Sequence, residues 1–202
     1  MKLDTRYIYN RIRAAWFQRA HPDAPWLTAD AVSILSTWLR PSDCGLEWGS
    51  GRSTAWFARR VCHLISVEND PGWFNRVERQ LAGASNVDLR LTLNEAAYVG
   101  ICDSIASESL DFVLVDGALA RDACCHRSIG LLKPGALLIL DNANWYIPCN
   151  SHSPGTRHPG DNSRFDATSW DCFLERVALW RRIWTTDGCA DTAFWIKPPA
   201  QY

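Results

Sequence analysis

The chain has 202 residues, of which 47 % are hydrophobic and 21 % charged, and its 21 basic and 22 acidic side chains leave a formal charge of -1. A globular chain of this size buries roughly 70 % of its unfolded surface, so a disordered or fibrous protein is excluded and a single domain over 1–202 is expected. The near-zero charge lacks the cationic field with which most nucleic-acid binders attract phosphates, so nucleic acid is disfavoured and a small molecule is the expected partner.

The first 40 residues read as helices that pack on or cap a core over 43–198. The N-terminal stretch offers Lys2, Arg6, Arg11, Arg13 and Arg19 against Asp4 and Asp23, and Ile8, Ile12 and Trp16 recur every fourth residue, which reads as an amphipathic helix with a basic outer face. Packing on the domain is the expected fate of that helix, with a lid or a homodimer contact as the alternative. Thr28 caps a second helical pattern that stops at Pro41. Strand patterns follow at 44–48, 63–68, 87–92, 110–116 and 136–141, alternating with helical patterns at 53–62, 71–81 and 119–132. Apolar runs such as Phe112-Val113-Leu114-Val115 suit strands covered on both faces, as in a parallel sheet. From 148 to 166 the chain is rich in Pro, Gly, Ser, Asn and His and has no periodicity. That stretch, within 143–168, reads as a lid or substrate loop, or as plain disorder. A helix at 169–180 and a hairpin turning on Asp187-Gly188-Cys189-Ala190 close the chain. No apolar run approaches the roughly 20 residues that span a bilayer, so no membrane helix is expected. Eight cysteines contain no C-x-x-C pair, which argues against zinc and for a reducing, cytoplasmic compartment.

The segment Leu46-Glu47-Trp48-Gly49-Ser50-Gly51-Arg52-Ser53-Thr54 leaves a strand, turns on two glycines and enters a helix. Gly49 and Gly51 let backbone approach a ligand, the helix start offers unpaired N–H groups, and Ser53 and Thr54 add hydroxyls. Glu68 ends the next strand, where an acid accepts hydrogen bonds from both hydroxyls of an adenosine ribose. A dinucleotide fingerprint would place a third glycine where this chain has Thr54. The carboxylate of Glu47 under the turn repels a pyrophosphate but welcomes an ammonium group.

These residues resemble the class I S-adenosylmethionine-dependent methyltransferases over roughly 43–198. Glu47-x-Gly49-x-Gly51 is similar to that family's first motif, Glu68 to its ribose acid, 110–116 to its fourth strand, and Leu132-Lys133-Pro134-Gly135-Ala136-Leu137 to the start of its fifth-strand motif. The resemblance implies an α/β fold: a Rossmann-like three-layer sandwich whose seven-stranded, mostly parallel sheet ends in an antiparallel hairpin. It implies S-adenosylmethionine as cofactor, with Glu47 orienting the methionine amino end and Gly49, Ser50 and Gly51 meeting the cofactor through the turn. Asn69 or Trp73 would then lie near the adenosine, and Asn94 and Glu95 near the adenine amino group.

Methyl transfer needs an aligned nucleophile and, for oxygen, a base. Asp116 and Asp141 end adjacent strands and are the candidate catalytic acids; Asp116 also reaches the methionine end. With Asn142 they resemble the Mg2+ or Ca2+ ligands of the catechol and caffeoyl-coenzyme A O-methyltransferases, where the metal lowers the acceptor pKa. His126, His152 and His158 are alternative bases, and the last two, with Arg157 and Arg164, can bind an anionic acceptor on loop closure. Asn144, Trp145 and Tyr146 are the expected acceptor-pocket residues. The function read here is methyl transfer to a small molecule, at oxygen. The alternatives are a NAD-dependent oxidoreductase and a non-catalytic, cofactor-binding regulatory domain.

Overall fold

The computed structural model describes residues 5–163 and 166–199; Lys2 and Arg164 lie outside them. Two helices, α1 (Thr5–Ala20) and α2 (Ala29–Trp38), precede the alternation of strand and helix read from the sequence. It runs β1 (Cys44–Trp48), α3 (Arg52–Ala58), β2 (His63–Glu68), α4 (Pro71–Gln80), β3 (Val87–Leu91), α5 (Glu95–Gly100), β4 (Leu110–Val115), α6 (Arg121–Leu131) and β5 (Leu132–Asp141). A short α7 (Ala143–Tyr146), then α8 (Ala167–Arg176), β6 (Arg181–Thr186) and β7 (Asp191–Ile196) complete it. The seven strands form one sheet in the order β3-β2-β1-β4-β5-β7-β6. The first four pairings are parallel, and β7 runs antiparallel to both β5 and β6.

The continuous apolar runs are explained by burial on both faces. Leu138 and Leu140 enter one cluster with Trp48, Val113 and Trp195, whereas Leu137 and Ile139 enter the other with Phe57, Phe112 and Phe194. Thr28 caps α2 as its sequence suggests, accepting from the Ala31 N–H at 3.3 Å, and its hydroxyl also lies 2.6 Å from that of Thr185, which ties the helix to the hairpin. Strand β5 begins at Leu132, before the expected 136, because Gly135 donates to the Lys197 carbonyl at 2.8 Å and holds the Lys-Pro-Gly segment in the sheet. The short α5 and α7, and a 3-10 turn at Ile101–Ser104, carry too few residues to register as a periodic pattern.

Two expectations are corrected. No residue of α1 is buried, and its apolar stripe faces solvent, with Ile8 42 %, Ile12 63 % and Trp16 70 % exposed. The helix is held through polar groups: Asn10 lies against Gly188 in the β6–β7 turn, and Gln18 accepts from Arg52 at 3.1 Å. The 148–163 segment is an organised loop rather than a disordered one. Arg157 is buried within it and donates to the carbonyls of Tyr146 at 2.9 Å and Asp161 at 3.0 Å, with Asp171 at 3.3 Å, so it is not available to an acceptor. Ser153 donates to Asp191 at 2.5 Å and pins the loop to the hairpin. Arg157→Ala removes those hydrogen bonds at a cost of about 3 kcal/mol. Limited proteolysis should then cut 148–163 at least tenfold faster, while the sheet's amides keep their protection from hydrogen exchange.

Candidate active site

The parallel strands end together at one edge of the sheet, and the loops that leave β1, β2 and β4 meet there. Gly49 has φ +93°, and a Cβ on it would lie 2.6 to 2.9 Å from backbone atoms of Gly117 and Asp116, so the turn after β1 touches the end of β4 with no room for a side chain. Gly51, in contrast, is extended at φ 177°. Its N–H donates to the Thr54 hydroxyl at 2.8 Å, and that hydroxyl donates to Glu47 at 2.6 Å. Ser66 donates to the same oxygen of Glu47 at 2.8 Å, but the other, Oε1, is buried with no partner among the described residues. A buried carboxylate oxygen left unpaired is costly; a donor belongs there.

Glu68 lies at the end of β2 with its carboxylate cupped by backbone. Oε1 accepts from the N–H groups of Asn69 and Asp70, each at 2.8 Å, and Oε2 accepts from Ser50 at 3.0 Å. Three of its roughly four acceptor positions are used, and one on Oε2 is left for a ligand. Trp73, in the first turn of α4 beyond the Asp70 cap, donates its indole N–H to the Ser50 carbonyl. Gly49, Ser50, Glu68, Asn69 and Trp73 line one side of a cleft of about 520 Å³, which also takes in Gly51, Ser53 and Trp26, with Asp116, Gly117 and Ala118 on the other side.

At the ends of β4 and β5 the two aspartates are joined by an arginine that the sequence reading passed over. Arg121 donates Nη1 to the Asp141 carbonyl at 2.6 Å, Nη2 to the Asp116 carbonyl at 2.5 Å and carboxylate at 3.1 Å, and Nε to the Gly117 carbonyl at 2.7 Å. Its guanidinium also lies 5.4 Å from the centre of the Tyr146 ring. The Asp141 carboxylate accepts from the Thr192 hydroxyl of β7 at 2.8 Å. Among the described residues no group of three or more His, Cys, Asp or Glu side chains is placed to hold a metal. The expected set of Asp116, Asp141 and Asn142 is a poor fit to Mg2+ or Ca2+ because the Arg121 guanidinium sits on one oxygen of Asp116 and the Thr192 hydroxyl on one oxygen of Asp141, which places a fixed cation beside the ion.

Burial raises the carboxyls of this edge. It pushes Asp141 up to about 8, helped by the charge of Asp116, and Glu47 up to about 7 against the pull of its hydroxyl partners. Asp116 is raised to about 6 by burial, opposed by Arg121, and its side chain is still 29 % exposed, so its displacement weighs least in stability. Carboxyls raised in the folded state stabilise it fully below their ordinary pKa near 4 and lose that contribution as pH climbs through the raised values. The melting temperature should fall from about pH 5 to about pH 8, by an amount on the order of a few kcal/mol in stability. Thermal scans of Asp141→Asn should show a flatter profile than wild type; an unchanged slope would place the titration elsewhere.

Other expected site residues fall away from the cleft. Asn94 caps α5, accepting from the Ala97 N–H at 2.8 Å, and neither it nor Glu95 lines the cleft. Asn144 is buried and donates to Pro154 at 3.2 Å and Thr156 at 3.3 Å, and Trp145 donates to Pro154 at 3.0 Å, so both hold the loop. Of the expected acceptor residues only Tyr146 stays beside the aspartates. His126 bridges α6 and α8, with Nε2 3.0 Å from the Ser169 carbonyl and Nδ1 3.0 Å from Arg176. His152 lines a second, larger cavity of about 900 Å³ between α1, the start of α2, the 148–159 loop and the β6–β7 turn. Trp26 belongs to both cavities and joins them.

The strand order and the antiparallel final pair are those of the Rossmann-like fold of class I methyltransferases. The solved structures it resembles carry the same fold. An O-methyltransferase from Bacillus cereus in complex with S-adenosylhomocysteine shares 15 % identity and a TM-score of 0.62, with 98 % of this chain and 93 % of that one covered. The O-methyltransferase TomG of Streptomyces achromogenes, involved in tomaymycin synthesis and solved with S-adenosylmethionine, shares 20 % identity and a TM-score of 0.59 over 97 % of this chain and 91 % of its own. A Corynebacterium glutamicum protein matches over 100 % of this chain and 94 % of its own, at 15 % identity and a TM-score of 0.64. No protein-family model and no curated protein matches the sequence.

Proposed function

We propose that the protein is an S-adenosylmethionine-dependent methyltransferase that methylates an oxygen of a small-molecule acceptor. The observation that carries this reading is the meeting, in one cleft, of the Glu68 carboxylate, the Gly49 turn and Asp116. Glu68 would accept from one ribose hydroxyl at the open position on Oε2, and the unpaired Oε1 of the buried Glu47, which lies behind the cleft lining, fits the charge of the amino end through water. When bound, the cofactor supplies an electrophilic methyl on a sulfonium: the acceptor oxygen forms the new bond as the carbon–sulfur bond breaks and its electron pair stays on sulfur. Asp116 would take the acceptor's proton, with a pKa near 6 that suits a base at neutral pH. A dinucleotide is disfavoured because the backbone donors a pyrophosphate needs are already used, Ser50 by Glu68 and Gly51 by Thr54.

The larger cavity is the proposed acceptor site. It is lined by Phe17 and Trp184 and by the cations Arg6, Arg13 and Arg182, which outnumber the acids Asp30 and Asp187 and suit an aromatic acceptor bearing an acidic group. All eight cysteines are free thiols, which supports a reducing, cytoplasmic compartment. The test is production of S-adenosylhomocysteine in the presence of hydroxybenzoates. The reaction should depend on the acceptor and slow about 100-fold in Asp116→Asn; turnover that Asp116→Asn leaves intact would remove Asp116 from the chemistry.

A further inference from the structure

The start of α6 breaks two rules for starting a helix, although Asp122 supplies an acid in its first turn. Its cap is Ala120, which has no side chain to accept from the first turn and sits in the left-handed region at φ +41°, where a non-glycine residue is strained. Its first residue is the cation Arg121, placed at the positive end of the helix dipole. Asn142, at the facing end of β5, is likewise left-handed at φ +51°. Strain of this kind persists where surrounding contacts impose it, and here they converge on one group. The guanidinium is only 10 % exposed and its four hydrogen bonds link the ends of β4 and β5 across the two aspartates.

Resting on the methyl-transfer reading, we infer that Arg121 is the fixed cation of this site, bonded to the strand ends that carry Asp116 and Asp141, and that the reaction runs without metal. A divalent ion bound by Asp116, Asp141 and Asn142 would lie against the guanidinium, whose charge repels it in a poorly solvated site. The fixed charge also narrows the acceptor class. A nearby guanidinium favours an oxyanion, but lowers a hydroxyl's pKa less than direct coordination by a divalent ion does. The acceptor is therefore a hydroxyl that ionises readily on its own, a phenol or enol conjugated to an electron-withdrawing group, rather than an alcohol. Its proton passes to Asp116, whose carboxylate Arg121 fixes at the edge of the cleft, and the oxyanion bonds to the methyl carbon as the carbon–sulfur bond breaks, under the field of the nearby guanidinium.

The test uses Mn2+ alone as probe, followed by electron paramagnetic resonance on metal-stripped protein, with S-adenosylmethionine calorimetry on the same samples. Wild type and Arg121→Lys should leave Mn2+ free. Arg121→Gln, which removes the charge and keeps an amide donor on a shorter side chain, should bind it at least about tenfold more tightly, and adding Asp116→Asn should remove that binding. Arg121→Met replaces the Gln variant should circular dichroism show the latter unfolded. Mn2+ binding by wild type that Asp116→Asn abolishes would overturn the inference, as would an uncharged variant that binds no better than wild type. Failure of wild type to bind S-adenosylmethionine would instead overturn the methyltransferase reading, so the two failures are separable.

Discussion

Glu68→Ala is expected to abolish measurable binding of S-adenosylmethionine, a loss of at least about 100-fold, and to lower stability as well. The carboxylate is the shared acceptor for the Ser50, Asn69 and Asp70 N–H groups, so its removal frees the glycine turn from the end of β2 as it removes the proposed ribose ligand. Hydrogen bonds to a charged group contribute about 1.5 to 3 kcal/mol each, and water can reach some of the freed donors, so the net cost should be about 3 kcal/mol, or roughly 10 °C in melting temperature. Glu68→Gln separates the two roles. It keeps the volume but turns an NH2 group toward backbone donors, so calorimetry should show binding weakened by at least about tenfold with a smaller thermal shift. Full affinity in Glu68→Ala would mean that the acid serves only the loop.

Gly49→Ala should be the most disruptive single change at the site, and Gly51→Ala two residues away a mild one. At position 49 a Cβ requires a left-handed backbone and would meet the Gly117 backbone at 2.6 Å, which cannot move without parting β1 from β4. The cost should be about 3 kcal/mol or more, with loss of cofactor binding. At position 51 the backbone is extended and the nearest atom is the Trp73 indole nitrogen at 3.6 Å, an ordinary contact. Thermal unfolding of the two variants side by side tests the contrast. Equal destabilisation would mean that the second glycine is also conformationally required, as the sequence alone suggests.

The sheet was legible because its signals are local and repeated: buried runs for strands, Thr28 and Pro71 for helix starts, and Asp187-Gly188 for the hairpin turn. That Gly49, Ser50, Gly51 and Glu68 share a cleft was legible for the same reason, since strand, turn and acid follow one another within some twenty residues. The acceptor side was not. Asn144 and Trp145 follow β5 at once, yet they turn into the loop because Pro154 and Arg157, more than eight residues on, supply their partners. The stripe on α1 misled because a helix period says which residues share a face, not which face a neighbour covers. Arg121 could have been found: an arginine opening a helix after an uncapped alanine, five residues beyond a strand-end aspartate, is a local contradiction of the kind that marks functional sites.

The most direct test of the whole account is calorimetry of the wild-type protein with S-adenosylmethionine and, separately, with NADH. The account predicts one molecule of S-adenosylmethionine per chain at micromolar affinity and no heat with NADH. Binding of NADH instead would make the cleft a dinucleotide site, and binding of neither would reduce the glycine turn to a structural corner.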